Sequence, residues 1–126
     1  MKRVVDSSIW IEWLTDSTLG QRLEAELPTG NDCIVPTIVQ LEVYKWLLRE
    51  VGEDAADQFV AYTLGCSVIP LDTALAIEAA RLCRDKRLAT ADAIVYATAL
   101  AQDADLLTCD AHFADLDQVV VFSKTG

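Results

Sequence analysis

Residues 90–110, TADAIVYATALAQDADLLTCD, restrict what this chain can fold into more than any other stretch. Ala93, Ile94, Val95, Ala97, Ala99, Leu100 and Ala101 run apolar with little polar relief, so the helix they form should pack against a sheet over much of its surface. Asp103 and Ala104 turn the chain, and Leu106 and Leu107 follow as a short buried strand. This is half of a strand-helix-strand crossover, with Asp92 heading the helix and Asp110 closing the strand. Open α/β sheets bind ligands outside the carboxyl ends of their strands, so both carboxylates can reach one site.

The rest of the chain alternates in the same way. Strands are expected at 3–6, 33–35, 67–70 and 118–122. Helices are expected at 9–14, 19–27, 37–50, 53–64 and 72–86, with a short turn at 110–116. Asp6-Ser7-Ser8 is a capping sequence, Pro36 suits a helix start, and Gly52 and Gly65 suit helix stops. Strands separated by helices predict an α/β fold: an α/β/α sandwich around a mostly parallel sheet of four to five strands, with residues 1–126 as one domain. With 126 residues, 52% of them hydrophobic, the chain can bury an ordinary core. No repeat, linker or low-complexity tract interrupts it.

Composition narrows the function classes. Twenty acids against ten bases give a net charge of −10, which argues against a nucleic-acid-binding surface built on a basic stripe. Only Val4 and Val5 separate Arg3 from Asp6, which is no signal-peptide core, and the uncharged run 58–71 is too short to span a bilayer. A soluble, cytoplasmic protein is expected, with no membrane partner. Cys33, Cys66, Cys83 and Cys109 lack paired spacing and there is one histidine, so a structural zinc site is disfavoured and buried thiols are expected.

Four acids stand at positions where such a fold presents chemistry: Asp6 after the first strand, Glu42 in the helix after the second, Asp92 at a helix start and Asp110 after a later strand. Singly, each has an ordinary explanation. Asp6 and Asp110 suit helix caps, Asp92 suits a first turn where negative charge opposes the macrodipole, and Glu42 can pair with Lys45. Capping does not require all four to share one end of the sheet, so the spacing suggests an acidic site without naming its chemistry.

The blocks VVDSSIWIEW, PTIVQLEVYKWL and LATADAIVYATALAQDADLLTCDAHF carry a resemblance to the PIN-domain family, and within it to the VapC-type toxins of prokaryotic toxin-antitoxin pairs, over essentially the whole chain. Matched motif by motif, the resemblance implies that Asp6, Glu42, Asp92 and Asp110 form a catalytic metal site, with Ser8 and Thr108 as polar positions beside the first and last acids. The chain departs from the pattern in its acidity, and at Lys86-Arg87-Leu88-Ala89, where a glycine is expected before the apolar pair.

Four crowded carboxylates raise one another's pKa, and divalent cations relieve them; carboxylate oxygens suit Mg²⁺ or Mn²⁺. Such ions activate a water and stabilise the attacking and leaving oxygens of an in-line displacement. The expected activity is metal-dependent endoribonuclease hydrolysis leaving 5′-phosphate and 3′-hydroxyl ends, with RNA supplied by the resemblance. A ribonuclease using two histidines is excluded by count, and His112 reads first as a surface helix residue. Arg84, Lys86 and Arg87, with Arg81, are candidate phosphate contacts, although cations near a helix C-terminus are favoured anyway.

A haloacid-dehalogenase-type phosphatase would want an aspartate where Ser8 stands, a receiver domain would want an acid pair near Asp6, and no Walker A loop appears. The alternatives kept open are a weak or inactive PIN-fold binding module and a housekeeping RNA-processing nuclease. Trp10, Trp13, Val43, Tyr44, Trp46 and Leu47 are either core or interface. The resemblance implies a homodimer and a cognate VapB-like antitoxin, whose basic side chain could enter the acidic site of a chain at −10.

Overall fold

The computed structural model describes residues 1–123. Five strands, β1 (Arg3–Val5), β2 (Cys33–Pro36), β3 (Ser67–Ile69), β4 (Asp105–Thr108) and β5 (Val119–Val121), form one sheet in the order β3-β2-β1-β4-β5. Every pairing is parallel. Six α-helices fill the crossovers: α1 (Ser7–Leu14), α2 (Thr18–Leu23), α3 (Thr37–Glu50), α4 (Glu53–Thr63), α5 (Thr73–Lys86) and α6 (Thr90–Ala101). The expected α/β architecture is therefore present, with the sheet wholly parallel.

Right-handed crossovers place α1 to α4 on one face of the sheet and return α5 and α6 over the other. The packing agrees: α1 meets α2 and α3, α3 meets α4, and α5 lies along α6. Because both faces are covered, the central strands need not alternate. Val4, Val5, Ile34, Val35, Leu106 and Leu107 are all buried, and so is every residue from Ala93 to Ala99 on α6. At the amino ends of the strands, Arg3 reaches Asp105 through two bonds of 2.9 and 2.8 Å and also Glu26 at 3.1 Å, which pins β1 to β4 in register.

Several local expectations are corrected. The helix expected over 19–27 ends at Leu23 and tightens into a 3-10 turn at Glu24–Glu26. Only Ala111–Phe113 of the 110–116 turn is helical. Gly65 follows a helix end without a left-handed conformation, whereas Gly52, at φ 150°, joins α3 to α4 as only glycine readily does. Of the four cysteines, Cys33 alone is buried and the others are half-buried. The aromatic set divides: Trp10, Val43 and Leu47 are core, while Trp13, Tyr44 and Trp46 pack partly buried against it. The exposed apolar residues of α3 are instead Leu41 and Leu48.

The missing glycine also has a structural expression. Arg87 ends α5 at φ 57°, ψ 37°, the left-handed conformation in which a side chain is strained and glycine is not. Arg87→Gly is expected to stabilise the protein by about 0.5–1 kcal/mol, less than the full strain relief because glycine also loosens the unfolded chain. Urea denaturation would check it, and an unchanged or lowered midpoint would contradict the strain.

Candidate metal centre

The sheet order creates the site. From β1 the chain steps to β2 and β3 on one side, while β4 and β5 lie on the other, so the topological switch falls between β1 and β4. Val5 pairs with Leu107, and the Asp6 amide donates to the Leu107 carbonyl at 3.0 Å, one residue past β1. Asp6 therefore leaves the sheet beside the end of β4, where Thr108 and Asp110 emerge.

A compact hydroxyl network fixes the Asp6 carboxylate. Thr108 Oγ1 donates to Asp6 Oδ2 at 2.7 Å and Ser8 Oγ donates to the same oxygen at 3.0 Å. Each hydroxyl also accepts from the backbone of the β4 exit, Thr108 Oγ1 from the Asp110 amide at 3.0 Å and Ser8 Oγ from the Cys109 amide at 3.1 Å. Each hydroxyl thus accepts one backbone N–H and turns its proton to the carboxylate, which can only accept when ionised. Asp6 occupies the cap position of α1, yet its side chain makes no capping bond. The capping explanation fails for Asp6.

For Asp110 it holds in part: its Oδ1 accepts the His112 amide at 2.8 Å, capping the short 3-10 turn. Glu42 lies in the second turn of α3 and makes no ion pair with Lys45; its Oε1 accepts from Ser7 Oγ at 2.8 Å. Asp92 is the third residue of α6, whose cap, Ala89, offers no side-chain acceptor.

Electrostatics show that the four acids share one neighbourhood. The Asp92 carboxyl is pushed from 3.8 up to about 6, first by burial and then by Asp110, Asp6 and Glu42, with His112 opposing. Burial and like charge outweigh the helix N-terminus, whose field would lower it. Asp6 is likewise raised by burial, against the bonds from Thr108 and Ser8, and Glu42 adds to the rise. Among the described residues no lysine or arginine pairs with any of the four.

Of two further polar groups at the site, Ser7 was read from sequence only as part of a cap and His112 first as a surface helix residue. Ser7 holds Glu42 across 35 positions of chain, and nothing local to Asp6-Ser7-Ser8 reveals that partner. His112 brings Nδ1 to 3.2 Å from Asp110 Oδ1, and donor atoms of Asp92, Asp110 and His112 all lie within 4.8 Å of one another. The Asp-x-His spacing was a usable signal, since a cap on that turn binds the histidine's own amide. The basic cluster stands at the end of α5, next to the start of α6, where Cys83 and Thr90 line one cavity. Arg84 there is exposed and paired with Asp85 at 2.7 Å, and Arg81 is paired with Glu78 at 3.5 Å.

The donor chemistry fits a divalent cation. Several hard oxygens converge without a cationic side chain, and Asp92 is ionised there against burial and the charge of the other acids, an imbalance that a dication would remove.

An all-parallel α/β sheet with an acidic cluster at its switch point defines the class of fold and site. Within it, the chain belongs to the PIN domain family, whose model matches residues 3–119. No curated protein matches the chain in sequence. Similar solved structures include a toxin-antitoxin complex from Klebsiella pneumoniae, with TM-score 0.84 and 19% identity over 97% of this chain and 99% of that one. VapC20 from Mycobacterium tuberculosis, a Sarcin-Ricin loop cleaving toxin, gives TM-score 0.76 and 21% identity over 94% of this chain and 97% of that one. VapBC2 from Rickettsia felis, bound to a DNA fragment from its promoter, gives 0.72 and 14% over 98% of each chain. At these identities the likeness is one of fold.

Proposed function

We propose that this protein is a metal-dependent endoribonuclease, the toxin of a VapBC-type pair, hydrolysing RNA phosphodiesters through Asp6, Glu42, Asp92 and Asp110. The observation that carries the reading is the gathering of Asp6, Glu42 and Asp110 around Asp92 at the carboxyl ends of β1 and β4, where burial and these acids push the Asp92 carboxyl up to about 6. Folding gathers like charge here at a cost in stability, which is what a site for a cation and a phosphate requires. A fold shared with a toxin that cleaves the Sarcin-Ricin loop supports RNA as the substrate class.

Mg²⁺ or Mn²⁺, held by the four carboxylates, would supply the charge that activates a water and stabilises the attacking and leaving oxygens. The chain's own residues supply the positioning. Thr108 and Ser8 orient Asp6, and Ser7 orients Glu42, so the site is organised before any ion arrives. Arg84, Lys86 and Arg87 stand at the end of α5, next to the helix that carries Asp92, and would contact RNA phosphates. The remaining assignments follow the same reading: a cytoplasmic homodimer, inhibited by an antitoxin whose basic segment is drawn to a chain at −10. No described helix is long and apolar enough to cross a membrane.

The test is incubation of the partner-free protein with total cellular RNA in Mn²⁺ or Mg²⁺, with EDTA as control. Fragments bearing 5′-phosphate and 3′-hydroxyl ends, absent in EDTA, are expected. A 2′,3′-cyclic phosphate product would contradict the route. A folded protein that binds no metal and cuts nothing would be a binding module instead.

A further inference from the structure

We infer that the metal centre of this chain takes an imidazole nitrogen from His112 together with its carboxylate oxygens, and therefore favours a first-row transition ion over Mg²⁺. The inference rests on the metal-dependent reading above and specifies the ligand set of that same site.

The local backbone argues for it. Asp110 Oδ1 accepts the His112 amide at 2.8 Å, so the cap that shapes the 3-10 turn also fixes the histidine beside the carboxylate. Phe113, the next residue, is buried in the core and anchors the turn from the other side. The imidazole itself is 82% exposed, so no packing holds it away from the acids. Its Nδ1 lies 3.2 Å from Asp110 Oδ1, and Asp92 completes a group whose donor atoms fall within 4.8 Å. Two neighbouring ligands of a six-coordinate ion with bonds of about 2.1 Å lie about 3 Å apart, so the observed separation needs little adjustment.

The consequence is one of selectivity. A neutral imidazole adds a donor without adding charge to a site that already holds four acids. Oxygen-only sets suit Mg²⁺, whereas imidazole nitrogen shifts preference along the transition series from Mn²⁺ toward Co²⁺ and Zn²⁺. His112 can instead act as a hydrogen-bond donor to Asp110 without touching metal, and the two roles make different predictions.

The experiment uses the full chain, free of partner, with Mg²⁺, Mn²⁺ and Co²⁺ as probes in calorimetric titrations of wild type, His112→Ala and His112→Asn. Pulsed EPR of the bound Mn²⁺ reads nitrogen coordination directly. Nitrogen hyperfine modulation in the wild type and its loss in both variants is expected. Co²⁺ affinity should fall by about tenfold or more in both while Mg²⁺ affinity changes little, with melting temperatures preserved. Absence of the nitrogen signal, or an equal loss for Mg²⁺ and Co²⁺ that asparagine restores, would overturn the ligand role. Those results leave the nuclease reading intact, whereas a wild type that binds none of the three ions overturns both.

Discussion

Asp92→Asn is expected to abolish metal-dependent RNA cleavage while making the metal-free protein more stable. The two effects have one cause. Asp92 is partly buried among Asp110, Asp6 and Glu42, and its carboxyl is pushed to about 6, so at neutral pH its ionised form is held against burial and repulsion. Asparagine keeps the shape and removes the charge. Relief is about 1–2 kcal/mol once solvent screening of this half-buried group is allowed for. Under the proposed function the same charge would hold a divalent ion and serve the transition state, and its loss should lower kcat/KM by about 10³-fold or more. Cleavage assays with matched urea denaturation in EDTA check both halves. A variant that loses activity and stability together would mean that Asp92 is a structural residue.

Metal-free protein should also lose stability as pH rises through the range where most proteins gain it. The sign follows from linkage: a carboxyl with a raised pKa binds more protons folded than unfolded, so stability falls with pH between the two values. For Asp92 that window runs from 3.8 to about 6, with no further change above it, and Asp6, also raised, acts in the same direction. The expected difference between pH 4.5 and pH 7.5 in EDTA is about 1–3 kcal/mol in favour of the lower pH. Mn²⁺ at about 100 times its dissociation constant should add about 2.7 kcal/mol at pH 7.5, offsetting most or all of that difference. Midpoints of denaturation at the two pH values, with and without metal, provide the measurement. Equal midpoints in EDTA would show that the acids do not burden the fold, and Asp92→Asn should flatten the profile.

Much of the fold was legible in sequence because short apolar strands and helical periods are local signals. The apolar run of α6 required a sheet beside it, and the β-branched and leucine pairs Val4-Val5, Ile34-Val35 and Leu106-Leu107 marked strands covered on both faces. The helix over 19–27 looked continuous by period, yet its last residues tighten into a 3-10 turn. Trp10, Val43 and Leu47 suited either core or interface by sequence, and the choice fell to core because α1, α3 and α4 close over one another, with Trp10 stacked edge-on against Phe59 at 5.4 Å. Arg87 shows the reverse case: the expected glycine is absent, but the left-handed turn that calls for it is present.

The four acids were visible as residues at strand and helix ends. Their contacts were not, because a carboxylate before a helix is a cap by default and only the folded chain shows its partners. The sequence by itself determined the alternation of strands and helices, the excess of acid, and which carboxylates the chain could bring to one rim, all properties written in residue type and spacing. The tertiary structure decided that β1 and β4 are neighbours, so that Thr108 donates to Asp6 across 102 positions, Ser7 reaches Glu42 across 35, and Asp92 meets three other acids. Hydrogen bonds and Coulomb repulsion act over a few ångströms of space, and the order of strands in a sheet, rather than distance along the chain, sets which groups come that close.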